Sequence, residues 1–281
     1  MKYLVFFYLL HFLPGISTSA QKQINAIEND DAGFKILDKS KYKCTYSYSY
    51  LSDSTNTELR KEESFVLLIG EQHNLFKKEY YYYIDSLRYL NSKGLVSNKQ
   101  VSRGFTTYTP GNSLVNYFIT EQHNNPELVI TYLTTEGTWE TKDTVKIQWT
   151  LGKESEHICG FDCKDAYTFF RGRKYIAWYA PDVPLPYGPY KFSGLPGLII
   201  KISDIQNSHS FELKGLENHS FVIIRENKKT IKMSKEQCDK AVRNYKTGLV
   251  EKAKMWFPNE PERAKRLAKR FGNENNPIEL E

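Results

Sequence analysis

The 281-residue sequence carries no HExxH pair, no paired CxxC motifs, no GxSxG elbow and no GxxxxGK[ST] loop. Each of these would have marked a chemistry: a zinc centre, an α/β-hydrolase nucleophile or a phosphate cradle. The histidines beyond residue 20 are scattered: His73, His123, His157, His209 and His219. No metal site and no cofactor is therefore expected. His209 and His219, ten positions apart, suit adjacent strands that bring them face to face as a hydrogen-bonded or solvated pair. The adjacent acids Asp30-Asp31 and Glu62-Glu63 point to opposite faces if each pair lies in a strand, a poor geometry for acid–base work. Cysteine is sparse, with only Cys44, Cys159, Cys163 and Cys238. In an oxidising compartment an even number suggests disulfides, and three pairings are open. Cys159 and Cys163 would lie about 13 Å apart in an extended strand, too far for a bond unless the chain turns between them.

Past the N-terminus no apolar run reaches the length of a membrane span. The start itself reads as a secretory signal peptide: Lys2, the apolar "YLVFFYLLHFL", then "STSA" with cleavage after Ala20. The expectation is export to the periplasm or the medium. Charge is uneven, with fifteen Lys or Arg against six Asp or Glu from Arg225 to Arg270, a net of +9. For an exported chain this favours an anionic membrane surface or an acidic partner over nucleic acid, against the plainer reading of a solvated helix face.

Twenty tyrosines dominate what is present. In "KYKCTYSYSYLSD" they alternate with small or charged residues, the period of a half-buried strand. "ESFVLLIGEQHNLFKKEYYYYI" predicts two strands around Gly70, and "DSLRYLNSKGL" a short helix. Residues 97–126 read mostly as loop with an apolar patch at Leu114–Ile119. Further strands are predicted at "ELVITYLTTEGTWE", "DTVKIQWTLG", "LIIKISD", "HSFELKGLENHSFVIIRE" and "TIKM", with a hairpin folding "DAYTFFRGRKYIAWYA" at Arg171-Gly172-Arg173. Ser234 and Gln237 form a capping box ahead of Cys238, Ala241, Val242, Tyr245, Leu249 and Ala253 at helical spacing. A second helix starts near Asn259 and stops at Gly272. The predicted fold is mainly β, a single curved antiparallel sheet or half-barrel with C-terminal helices (α+β). The predicted organisation is a signal peptide (1–20), a polar lead-in (21–40) and one domain (41–281) whose helical segment covers 234–272.

Five of the eleven prolines lie between Pro181 and Pro196, so this stretch is neither helix nor central strand. Pro196-Gly197 fits the central positions of a type II turn, with Gly197 supplying a positive φ. The string Gly194-Leu195-Pro196-Gly197-Leu198-Ile199 resembles the signature of the GLPGLI family, exported proteins of Bacteroidetes. The flanks are similar as well: "VKIQWTL", "CGFDCKDAYTFFRGRKYIAWYAPDVPLPYGPYKFSGLPGLI", "FVLLIGEQHNLF" and the ending "NPIEL". Cys159 departs from that pattern. The resemblance implies export and a relative without an agreed activity. Asp53-Ser54-Thr55, Asp85-Ser86-Leu87 and Asp143-Thr144-Val145 resemble the O-glycosylation signal of such proteins.

The expected function is a non-catalytic periplasmic protein that binds a hydrophobic or peptide ligand, or docks to an outer-membrane partner such as a TonB-dependent transporter. Its ligand or partner surface is expected at Arg171, Arg173, Trp178, Tyr187, Tyr190, Pro196 and Gly197. Two guanidiniums at a hairpin tip can hold a carboxylate, or fasten the proline-rich loop through its carbonyls and tyrosine rings. The alternative is a peptidase-like hydrolase using Cys163 or Asp204.

Overall fold

The computed structural model describes residues 33–55, 60–107, 116–272 and 275–280. The predicted signal peptide and Asp30-Asp31 lie outside them. Strands β1 (Phe34–Leu51), β2 (Arg60–Gly70) and β3 (His73–Lys78) lead into helix α1 (Glu79–Ser92) and helix α2 (Asn98–Thr107). Strands β4 (Asn116–Gln122), β5 (Glu127–Thr134), β6 (Gly137–Thr144), β7 (Thr150–Ile158), β8 (Phe161–Phe170) and β9 (Arg173–Ala180) follow. The proline-rich loop leads to β10 (Leu198–Asp204), β11 (His209–Asn218), β12 (Val222–Glu226) and β13 (Thr230–Lys232). Helices α3 (Lys235–Trp256) and α4 (Pro261–Gly272) close the chain.

Among the described residues thirteen strands join one sheet, in the order β13-β6-β5-β4-β3-β2-β1-β11-β10-β9-β8-β7, with β12 pairing the start of β1. Its pairs are antiparallel except β13 on β6. Ten strand-to-strand steps separate β6 from β7, about 48 Å in a flat sheet. Residues 145–149 alone connect the two, a reach of about 22 Å between Thr144 and Thr150 at full extension. The sheet is therefore curled to less than half its flat width, as a curved half-barrel.

Curling gathers one face into a single core. Tyr46, Phe65, Phe76, Ile119 and Ile130 from one limb share a cluster with Phe211, Ile202, Ala177 and Ala166 from the other. The alternating tyrosines of β1 belong to this concave face, as their period of two predicts. The outer face is covered by α1, where Tyr89 and Leu90 meet Phe34, Phe221 and Ile224, and Tyr82 packs beside Leu68, Leu75 and Phe118. Helix α3 lies on the concave side: Cys238, Tyr245 and Leu249 pack on Trp139, and Trp139 stands opposite Tyr132. Ser234 and Gln237 form the predicted reciprocal cap, with N–H···O distances of 3.2 and 3.0 Å.

Several expectations are corrected. Tyr80–Tyr83 belong to α1 and form no strand. The chain bends into helix after Lys78 because Lys77 and Asp85 pair in the interior at 2.5 Å, and Lys78 pairs with buried Glu63 at 3.0 Å. Within 97–126, where mostly loop is expected, the described residues 98–107 form α2 and 116–122 form β4. Strand β1 starts at Phe34, inside the predicted lead-in. His209 opens β11 and His219 follows its last residue, so the two lie at opposite ends of one strand and do not face each other. The four cysteines are free thiols, with Cys44, Cys163 and Cys238 buried and Cys159 exposed.

The proline-rich loop fills the open side of the bowl. Its backbone makes three i→i+2 hydrogen bonds, Leu185 N to Val183 O at 2.7 Å, Tyr187 N to Leu185 O at 2.8 Å and Gly197 N to Leu195 O at 2.8 Å. Pro184, Pro186 and Pro196 occupy the centres of these tight turns, where a φ near that of proline is required. The predicted type II turn is thus replaced, and the positive φ values of the loop fall at Tyr190, at 60°, and Gly194, at 93°. Gly197 is demanded by space: a Cβ there would stand 2.2 Å from the carbonyl oxygen of Ala180. We predict that Gly197→Ala costs about 1–3 kcal/mol in urea unfolding, the usual range for overpacking. Gly215→Ala, with open space at its Cβ position, should stay within about 0.5 kcal/mol of wild type.

Candidate functional site

Three elements converge on the concave face: the β8–β9 hairpin, the proline-rich loop and the C-terminal segment 275–280. The hairpin turns on Arg171 and Gly172, both at positive φ (46° and 80°), the signature of a type I′ turn. That turn aims both arginines at neighbouring segments. Arg171 pairs with buried Asp143 near the end of β6 at 2.8 Å, an ion pair that joins the β8–β9 turn to a strand of the opposite limb of the curled sheet. Buried Arg173 pairs with Asp204 at 3.1 Å, and its other amino group donates to the Asn276 side chain at 2.6 Å and the Pro277 carbonyl at 2.8 Å.

The C-terminal segment runs on from these contacts. Asn276 donates to Leu51 O through its side chain at 2.9 Å and to Ser52 O through its backbone at 3.2 Å. Tyr175 donates to Ile278 O at 3.1 Å, and Leu280 N donates to Arg171 O at 3.0 Å. Glu279 accepts from the Tyr190 hydroxyl and the Lys191 ammonium, each at 2.5 Å, with Lys235 at 3.6 Å. Lys191 also pairs with Asp143 at 2.7 Å. Burial, reinforced by the charge of Glu279, pushes the Tyr190 phenol well above its usual range, which keeps it a neutral donor.

Between this segment, the sheet and α3 lies a pocket of about 420 Å³. Its floor is aromatic and aliphatic: Tyr48, Tyr50, Phe65, Tyr117, Ile130 and Tyr132. Lys235, Asp239, Arg243 and Lys246 of α3 stand along one wall, and the C-terminal segment forms another. Burial drives the phenols of Tyr48, Tyr117 and Tyr132 upward, so they stay neutral, and Glu63 beside them is paired with Lys78. Such a cavity suits an apolar or aromatic body with an acidic group turned toward the cations.

The expected surface residues divide. Arg171, Arg173 and Tyr190 meet at the C-terminal segment. Tyr187 turns away, stacking on His123 with a hydroxyl-to-Nε2 distance of 3.0 Å. Trp178 is one position out of phase with buried Tyr175, Ala177 and Tyr179, so it points to the opposite face. Exposed Pro196 and buried Gly197 shape the corner without lining the pocket. Glu279, Lys191 and Asp143 carry no motif that marks them as a binding site in the sequence, whereas the Tyr42–Tyr50 alternation does supply the aromatic surface found at the floor. The only sequence signal for the tail was the quoted ending "NPIEL".

The hydrolase candidates are placed as follows. Cys163 is buried, its thiol bonds the Phe161 carbonyl at 3.5 Å, and burial pushes its pKa up to about 11, away from thiolate character. Asp204 is held by Arg173 and by the backbone N–H of His209 at 2.8 Å. Of the three glycosylation-like strings, Ser86 is buried and donates to Tyr82 O, Asp143 is buried in its ion pairs, and Asp53-Ser54-Thr55 lies on the surface. Among the described residues no group of three or more His, Cys, Asp or Glu is placed to hold a metal, and no helix is long and apolar enough to cross a membrane.

A family model described as "Protein of unknown function (Porph_ging)" matches residues 170–201, the span from the hairpin tip through the proline-rich loop into β10. No curated protein matches the chain. Two solved structures of PNGF-II, in space groups P21 and C2, are similar at a TM-score of 0.50. Identity is 15% and 14%, over 74% and 76% of this chain and 34% of each of those chains. The chain therefore spans about a third of the length of those structures, and the likeness is one of fold.

Two histidines, His209 buried and His219 half-buried, make stability depend on pH. Burial and the nearby Arg173 charge lower His209 to about 3, and burial and Lys43 lower His219 to about 4. The unfolded chain binds a proton on each near pH 6.5, which the folded chain refuses. Stability should therefore be level above pH 7, fall as pH drops through 6.5, and level off only near the folded values. Between pH 7 and 5 the loss is about 2 kcal/mol per histidine. Urea midpoints across that range should show it, and His209→Asn should remove about half of the drop.

Proposed function

We propose that this chain is an exported, non-catalytic binding protein of the GLPGLI type, and that the aromatic pocket under α3 holds an amphipathic acid. The observation that carries this reading is the pairing of a wide, tyrosine-rich floor, its Glu63 held by Lys78, with Lys235, Arg243 and Lys246 along one wall. An apolar body would gain from burial on the tyrosines, and an acidic head would find cations at the rim. The raised thiol of Cys163 and the pairing of Asp204 with Arg173 favour binding over hydrolysis by either residue. Helix α4 exposes Arg263, Lys265 and Arg266. That basic strip supports docking to an anionic outer-membrane surface or to an acidic partner there, a TonB-dependent transporter being one such partner.

Titration of the full chain with the aromatic sulfonate anilinonaphthalene sulfonate tests the reading. Wild type should bind saturably, Ile130→Trp should fill the pocket and weaken binding about ten-fold or more, and Arg243→Glu should weaken it by charge reversal. Equal affinity in all three folded proteins would overturn the pocket as the ligand site.

A further inference from the structure

We propose that the cradle around the C-terminal segment is a peptide-recognition site in its own right. It takes an extended Asn-Pro-aliphatic-Glu segment, which this chain supplies in cis and the same segment of a second copy can supply in trans. The claim does not depend on what fills the aromatic pocket.

Recognition is specific, because separate features of the segment are read by separate groups. Asn276 is held at both ends of its amide, by Arg173 and by Leu51 O. The carbonyls of Pro277 and Ile278 meet Arg173 and Tyr175, and the Ile278 side chain packs on the main core. The Glu279 carboxylate meets a phenol and two ammonium groups. A proline at 277 removes a donor that this arrangement does not use.

The cradle is also preorganised without its occupant. Each of its cations has a second, permanent anion: Arg173 has Asp204, Lys191 has Asp143 and Lys235 has Asp239. Withdrawal of the segment therefore strands no buried positive charge, and little reorganisation is needed to refill the site. The segment in turn lies on the surface. Asn275, Pro277 and Leu280 are exposed, Asn276, Ile278 and Glu279 are half-buried, and none of these residues belongs to a strand. It can leave without opening the sheet.

The test uses the full chain carrying Asn276→Ala and Glu279→Lys, which breaks the tail's own contacts, with a fluorescent peptide NNPIELE as probe. The double variant should bind the peptide, and wild type should bind it about ten-fold or more weakly, because its tethered tail competes at millimolar effective concentration. A peptide with Lys in place of the first Glu should bind neither protein. A double variant with wild-type circular dichroism that ignores the peptide, or that binds both peptides alike, overturns the proposal. Hydrogen exchange on wild type reads the same claim independently of any variant. The amides of Asn275 and Leu280 should exchange about a hundred-fold or more faster than those of β9 and β10, by local release of the tail. Protection equal to that of the sheet core overturns it.

Discussion

The strap of residues 145–149 is the constraint on which the rest of the architecture depends. It carries the chain from β6 to β7, from one limb of the sheet to the far edge of the other, across a distance no flat sheet would permit. Curling follows from its shortness, and the concave core follows from the curling. Val145, Ile147 and Trp149 pack onto that core, and the Trp149 indole donates to Ser193 O at 2.9 Å, tying the strap to the proline-rich loop. Asp143, one residue before the end of β6, then receives Arg171 and Lys191 from the opposite limb and the loop. Covalent reach brings the limbs together, and buried charge sets how they meet.

That closure explains why this face carries charge in its interior. A buried ion pair is costly to desolvate and is weak evidence for stability on its own. Here Asp143, Lys191, Glu279, Arg173 and Asp204 join segments far apart in sequence, so they specify which segments meet in the bowl. The loop contributes stiffness to the same end. Its prolines occupy tight turns with little freedom to lose on folding, and Phe192 lies against Phe170 and Tyr175.

Local pattern was legible where one period dominated. The Tyr42–Tyr50 alternation, the Arg171-Gly172-Arg173 hairpin and the Ser234–Gln237 cap are all present as the sequence implies. Four consecutive tyrosines carry no period, so Tyr80–Tyr83 could not be told from strand; the burial of Ile84, Leu87 and Leu90 and the Lys77–Asp85 pair decide for helix. Gly197 illustrates a different limit. Glycine serves either a positive φ or a close backbone approach, and only the distance to Ala180 O separates the two. The site was the least legible part. Glu279 meets Lys191 across 88 residues, and Trp178, the most conspicuous side chain near the loop, faces the other way.

The central claim is that this face holds a molecule and leaves it unchanged. Native mass spectrometry of the wild-type chain, purified gently from cells that produce it, tests this most directly. The account predicts a small acidic, apolar molecule bound one to one, which is recovered intact and is absent when the pocket is plugged by a larger side chain. A chain that carries no such molecule, or one whose bound molecule is recovered cleaved, would contradict it.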